Sequence, residues 1–489
     1  MLGQILVYSM PGCPHCTAAK MSLNKLNLPF IEIQLDLYDK SVREELKSKT
    51  NRSTGMKLLA AIKIIYVPQI FFNEKHIGGR DDFHKLDKKE LEELIKYVQE
   101  NEPPEGSPSI PGSTLLIGIG EDDGQSLRCE YDTDADIAKA LKDSNLPKKR
   151  WNWLQRHHGA FTGKQLKEWL DGTGEDGEAA ATRLLAGNFI APIEKKVDAF
   201  HPDGTLYQLV EQKSIASLNS GVTAECKVLH PSELGEQMRI QIKKLYGKYL
   251  NDDGTSVDYE GMRDSEEFGE YVKLTAQLQR VDLSQLSIDG RLAFFINIYN
   301  ALIIHGQVVR GIPQTFLTRL RFFWTTSYII GGHVFTLDDI ENGVLRGNRK
   351  GPAHLCRQFS RSDPRLKFAL PTAEPKIHFA LVCGAKSCPP IKCFSEKGVQ
   401  EELKMATEGF IEDDSNVLVN LEKKKVKLSM IFKWYQVDFG GKDRAMLIWI
   451  FENMNTGTKS DNLKSLIEGD NFSVSYFEYD WTSNSKNES

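Results

Sequence analysis

Cysteine is scarce in this chain, with eight residues in 489, too few for the disulfide framework that staples small secreted domains. Long apolar runs are missing as well. No stretch of about 18 residues lacks a polar interruption, so no transmembrane segment is expected. The opening MLGQILVYSM has neither the basic flank nor the apolar length of a signal peptide. The formal net charge is only -5, which gives no global attraction to nucleic acid or anionic lipid. These absences set the expectation of a cytoplasmic protein without a nucleic-acid partner. In a reducing compartment a Cys-x-x-Cys pair is catalytic or metal-binding rather than a structural staple.

One such pair is present. Cys13 and Cys16 lie in MPGCPHCTAAK, between a short apolar strand, QILVYSM, and an amphipathic helix beginning CTAAKMSL. IEIQLDL reads as a second strand, SVREELKSK as a polar helix, and IIYVPQIFFN as a third strand. A Gly-Gly turn and a charged helix, KLDKKELEELIKYVQ, complete an α/β unit over residues 1–100. A thiolate at a helix N-terminus faces unpaired backbone N–H groups and the positive end of the macrodipole, which lowers its pKa. Cys13 is therefore the expected attacking sulfur, and Cys16, one turn deeper, is placed to resolve the mixed disulfide. His15 between them stabilises the Cys13 thiolate when it is cationic or donates a hydrogen bond, or else is a surface residue. Zinc ligation is the alternative use of the pair, although no second Cys-x-x-Cys follows in this domain. No metal site is expected.

Cys13-Pro14-His15-Cys16, Val67-Pro68-Gln69-Ile70-Phe71-Phe72 and Ile77-Gly78-Gly79-Arg80-Asp81-Asp82 together resemble the three signature segments of glutaredoxins. The resemblance implies a thioredoxin-like fold, glutathione as co-substrate, protein disulfides as partners and a cis peptide before Pro68. It also implies a glutathione groove formed by His15, Val67, Pro68, Gly79, Arg80 and Asp81. Three positions depart from the family pattern: His15 replaces the usual tyrosine, Tyr66 a threonine, and Met10 a lysine that would pair with a glutathione carboxylate. An eleven-residue insertion, MKLLAAIKIIY at 56–66, also precedes Val67.

NEPPEGSPSIPGS is dense in proline, glycine and serine and reads as the start of a linker over 101–129. Beyond it, TDADIAKALKDSNL, KKRWNWLQRHHGAFTGKQLKEWL and AAATRLLAGNFI read as three amphipathic helices, closed by a hairpin at FHPDGTLYQLV. Ala160-Phe161-Thr162-Gly163, Leu166 to Leu170, Leu184 to Ile190 and Phe200 to Tyr207 are similar to a DEP domain over 130–212. That resemblance implies a winged-helix-like fold and recruitment to a protein or membrane-associated partner, with no chemistry of its own.

Residues 230–480 form the largest unit. RLAFFINIYNALIIHGQVV is an apolar helix interrupted by Asn297, Asn300 and His305, whose buried amides either tie down a loop or line a site. KIHFALVCG reads as a strand and GAKSCPPIKCFS as a loop. Cys388, beyond the strand, is a candidate nucleophile with His378 or His305 as base; a zinc site from Cys383, Cys388, Cys393 and a histidine, at a spacing unusual for zinc, and buried structural thiols are the alternatives. Phe295 to Leu302, Thr336 to Glu341, Ile377 to Cys383 and Cys388-Pro389-Pro390 resemble the domain of unknown function 547, for which an α+β fold of papain-like type is the expectation. The whole sequence reads as a multidomain α/β and α+β protein. The expected function is glutathione-dependent thiol-disulfide exchange, with a redox-sensitive signalling adaptor or a cysteine hydrolase as alternatives.

Overall fold

The structure is a computed structural model that describes residues 2–9, 14–26, 28–35, 40–50, 67–110, 129–152, 155–194, 197, 199–249, 257–352, 354–382, 394–470 and 472–480. Its first unit alternates β1 (Ile5–Ser9), α1 (Pro14–Lys25), β2 (Ile31–Gln34) and α2 (Lys40–Thr50), then β3 (Gln69–Phe72), β4 (Lys75–Gly78), α3 (Arg80–Lys85) and α4 (Lys88–Glu100). The sheet order is β2-β1-β3-β4, parallel at β1/β2 and antiparallel at β1/β3 and β3/β4. Successive side chains of a strand point to opposite faces. Ile5 and Val7 accordingly pack with Ala19, Leu23, Phe83 and Val98 on one side, and Leu6 and Tyr8 with Val42 and Leu46 on the other. Both faces of the sheet are covered by helix, as a thioredoxin-like domain requires. Residues 101–110 turn back onto this unit, where Ser109 bonds Glu45 and Lys49 bonds the Gly106 carbonyl.

The second unit holds α5 (Asp134–Asp143), β5 (Lys148–Asn152), β6 (Gln155–Thr162), α6 (Gly163–Asp171), α7 (Gly177–Ala186), β7 (Ile190–Pro192) and β8 (Leu206–Leu209). Its antiparallel sheet runs β5-β6-β8-β7. Lys148–Asn152 and Gln155–Thr162, expected to begin a helix, are instead the antiparallel strands β5 and β6. The helix starts only at Gly163, where Thr162 and Gln165 form a reciprocal capping box.

The cysteine count excluded a disulfide framework, yet Cys129 and Cys226 are joined, 97 residues apart with Cα atoms 5.0 Å apart. Backbone pairing brings them together: Tyr131 bridges Cys226, and Lys227 N–H donates to the Glu130 carbonyl.

In the third unit α8 (Pro231–Tyr249), α9 (Tyr259–Arg263) and α10 (Glu266–Ala276) surround α11 (Ile288–Arg310), which is followed by α12 (Phe316–Thr325) and a two-stranded sheet of β9 (Ser327–Ile330) and β10 (His333–Thr336). A π-helical segment spans Asp339–Leu345. Then come α13 (Val399–Glu412), β11 (Val417–Asn420), β12 (Lys425–Leu428), α14 (Met430–Trp434), α15 (Asp443–Glu452), α16 (Thr458–Glu468) and β13 (Ser473–Tyr476). By length and composition α11 is long and apolar enough to cross a membrane, but 94% of its apolar window is buried inside the domain. It is the central core helix. A second, aromatic-rich core built on Phe379, Phe410, Phe432 and Phe439 carries the sheet β11-β12-β13.

KIHFALV, expected as a strand, is a 3₁₀ turn at Pro375–Phe379 followed by irregular chain. The reason is partly distant: Pro375 opens the turn, but it is the Asn300 amide, about 80 positions earlier, that takes the Ala380 carbonyl and the Val382 N–H that a neighbouring strand would otherwise have paired.

Arg280 joins the second and third units. It donates to the carbonyls of Gly187 and Cys226, pairs with Asp132 at 2.6 Å and lies 3.6 Å from the Phe189 ring centre.

Candidate functional site

β1 delivers the chain to α1, which starts at Pro14, so Cys16 occupies the first helical turn and is buried at 2% exposure. Cys13 and Met10 lie outside the described residues, as does the His15 side chain. Tyr66 and the 56–66 insertion lie outside them too. The Val67–Pro68 peptide, just before β3 where Gln69 pairs with Tyr8 of β1, is cis. Gly78 has φ of 105°, a conformation that glycine adopts without steric cost. Gly79 then caps α3, its N–H donating to Asp82 at 3.0 Å. A Cβ on Gly79 would lie 3.5 Å from the Pro68 carbonyl, so the glycine turn borders the Pro68 main chain. Arg80 and Asp81 follow on the first turn of α3, Asp81 exposed. The described part of the expected groove, Val67, Pro68 and Gly79 to Asp81, is therefore assembled from β3, β4 and the α3 N-terminus.

A cavity of about 470 Å³ opens in the third unit between α11, α12, the π-helical segment and the chain after α14. Its walls are apolar and aromatic; its polar groups are Asp338, Glu341, Asn342, His354 and His378. Nε2 of His378 lies 2.9 Å from Oδ2 of Asp438. That carboxylate is fully buried and also accepts from Arg346, at 2.6 and 3.1 Å, and from Arg349 at 3.0 Å. Burial alone would raise the Asp438 pKa, but His378 and Arg346 hold it well below the usual carboxylate range. Since a carboxylate only accepts, Nε2 of His378 carries the ring proton and Nδ1 is left as an acceptor. Burial keeps the imidazole pKa below its ordinary value. Glu341 accepts from the hydroxyls of Tyr299 at 3.1 Å and Tyr435 at 2.6 Å. Asp338 accepts from Asn342 at 2.7 Å and is pushed up to about 7 by burial and by the nearby Glu341.

The sequence matches the glutaredoxin family over residues 5–77 and the family described as proteins of unknown function, DUF547, over 283–411. Glutaredoxin 1 of Rickettsia prowazekii is 32% identical over 102 residues, which are 21% of this chain and 96% of the relative. Glutaredoxin 3 of Escherichia coli K12 is 32% identical over 96 residues, 19% of this chain and the whole of the relative. The chain belongs to the glutaredoxin family. Its membership lies in the N-terminal domain, and it supports thiol-disulfide oxidoreductase activity, with glutathione as the family's reductant and protein disulfides as substrates. Among the described residues no cluster of three or more His, Cys, Asp or Glu side chains is arranged to hold a metal ion.

Outside the glutaredoxin domain, the described residues expected at a second site, His305, Asn297, Asn300 and His378, do not converge. His305 is a core residue, 1% exposed, with Nδ1 2.7 Å from the Tyr328 hydroxyl and its ring among Phe268, Tyr271 and Tyr328. Asn297 brackets Phe394 through both its N–H and its carbonyl, and Asn300 brackets Ala380 and Val382. The two amides thus tie down the chain on either side of 383–393 and do not line the cavity. Cys383, Cys388 and Cys393 lie outside the described residues. Among the described residues of the expected group only His378 lines the cavity, and its partner Asp438, in WYQVDFGG, carries no sequence signal that sets it apart from a surface aspartate.

Proposed function

We propose that this protein is a glutathione-dependent dithiol oxidoreductase whose glutaredoxin domain is tethered to a recruitment module over 130–212 and to the large C-terminal domain. The observation that carries the reading is a match spanning essentially the whole length of the glutaredoxin relatives, with Cys13-Pro14-His15-Cys16 at the strand-to-helix junction. In this reading the Cys13 thiolate attacks a substrate disulfide and forms a mixed disulfide. Cys16 displaces the reduced substrate and closes the Cys13–Cys16 disulfide, and two glutathione thiols return the pair to the dithiol as oxidised glutathione. His15, Val67, Pro68, Gly79, Arg80 and Asp81 hold the glutathionyl half during the last step. The test is glutathione-dependent reduction of a small mixed disulfide by the full chain. Turnover should vanish in Cys13→Ser and persist for the glutathionyl substrate in Cys16→Ser; unchanged turnover in Cys13→Ser refutes the assignment.

A second reading, a redox-sensitive adaptor, is favoured by the Cys129–Cys226 disulfide beside the Arg280 contacts between the second and third units. It requires partner capture by the full chain to change with reductant, and to stop changing in Cys226→Ser.

A further inference from the structure

The cavity of the C-terminal domain is large enough for a small organic ligand, and its donor and acceptor inventory is one-sided. Around the two lining carboxyls the hydrogen-bond donors are already engaged. The Tyr299 and Tyr435 hydroxyls donate to Glu341, and the Asn342 amide donates to Asp338. The Trp324 indole N–H donates to Nε2 of His354 at 3.1 Å. The same Nε2 lies 3.4 Å from Asp338 Oδ2. Among the described residues no lysine or arginine lines the cavity. Arg346, the guanidinium behind the wall, is spent on Asp438 and Asn342. His378 adds a further acceptor: it is 5% exposed, its Nε2 is held by Asp438, and its Nδ1 has no partner among the described residues. The floor therefore offers Asp338, Glu341 and an imidazole lone pair, all acceptors.

The walls complete the specification. Phe323, Trp324 and Trp434 present aromatic surface, which attracts a cation over its π face and accommodates an apolar body. At the mouth, Phe316 is 66% exposed and Trp324 47%. Buried carboxyls are costly; Arg346 acts on Asp338 and Glu341 only through space, and an ammonium group, with three donors and no acceptor, adds a direct partner at each of the acceptors named.

We propose that this cavity binds a small primary amine with an aromatic or apolar body, its ammonium group seated at Asp338 and Glu341. The elevated Asp338 pKa agrees with a carboxyl waiting for such a partner. The inference stands on the floor's chemistry and is independent of any thiol exchange or turnover.

The test is calorimetric titration of the full chain at pH 7.5 with three probes of one shape: 2-phenylethylamine, 2-phenylethanol and 3-phenylpropionate. The amine should bind about tenfold or more tightly than the alcohol, with the carboxylate weakest. Asp338→Asn should remove that preference while leaving glutaredoxin turnover unchanged. Glu341→Gln is the second variant should Asp338→Asn not fold, and the wild-type probe series tests the charge preference without any variant. Equal or tighter binding of the neutral or anionic probe overturns the proposal. So does an amine affinity unaltered in the folded variant, or no binding of the amine at millimolar concentration.

Discussion

Replacing His305 should change how the C-terminal domain responds to acid. The imidazole sits in a cage of Phe268, Tyr271 and Tyr328, with Arg310 the nearest cation. Burial, aided by Arg310, pushes its pKa down from 6.5 to about 3. Unfolding returns it to the ordinary value. The folded pKa is therefore below the unfolded one, so the unfolded state binds the extra proton, and stability is full above about pH 6.5 and lost as pH falls toward 3. Between pH 7.5 and pH 5 the loss works out at about 2 kcal/mol, approaching about 1.4 kcal/mol per pH unit. His305→Asn keeps an acceptor or donor near the Tyr328 hydroxyl but cannot titrate. His333, pushed down to about 4, and Asp338, raised to about 7, also titrate in this window. Both remain in the variant and largely cancel in the comparison. Urea unfolding of the two proteins, followed by the near-ultraviolet signal of the C-terminal domain, should show the wild type more stable at pH 7.5 and the gap narrowing by about 2 kcal/mol at pH 5. Parallel stability curves would refute the claim that His305 is held neutral.

Cys226→Ser should lower stability by an amount that reductant reproduces in the wild type. Closing a loop across 97 residues corresponds to about 4.7 kcal/mol of chain entropy, and a wild-type urea midpoint insensitive to dithiothreitol contradicts the bond. Asn300→Ala should cost about 2 kcal/mol, because it strands the Ala380 carbonyl and the Val382 N–H in the interior. A thermal midpoint unchanged in that variant contradicts the bracketing role.

What the sequence discloses tracks how local each determinant is. The alternation of Ile5, Leu6, Val7 and Tyr8 between two helical layers is set by strand geometry alone, and the motif segments around Cys16, Pro68 and Gly79 carry their own turn chemistry. The β5–β6 hairpin was hidden because its Trp, Arg and His residues fit a helical stripe as readily as an alternating strand; Gly159, at φ 65° inside β6, is the local sign against a helix. The turn at 375–382 was misread because its main-chain partner is Asn300, about 80 positions earlier. Asp438 was not found because its partners His378 and Arg346 stand 60 and 92 positions away. Nor does cysteine spacing say that Cys129 meets Cys226, since that follows from the pairing of Tyr131 with Cys226.

The same distinction bears on how the parts of this chain respond together. Residues 101–110 are held to the glutaredoxin domain by Glu45 and Lys49, so the proline-rich stretch begins as part of that domain's surface. Between the second and third units the contacts are of another kind. Arg280 satisfies carbonyls of Gly187 and Cys226 while its charge is matched by Asp132, and Asn219 bonds Thr275 and Ile329 from the far side of the same seam. Buried groups of this sort cannot part without leaving a guanidinium or an amide unsatisfied, which costs several kcal/mol. A change in the Cys129–Cys226 bond reaches Arg280 directly, through the Cys226 carbonyl it holds. It reaches the cavity only through the C-terminal core, so amine binding and the redox state of that disulfide are coupled only to the extent that the seam itself moves.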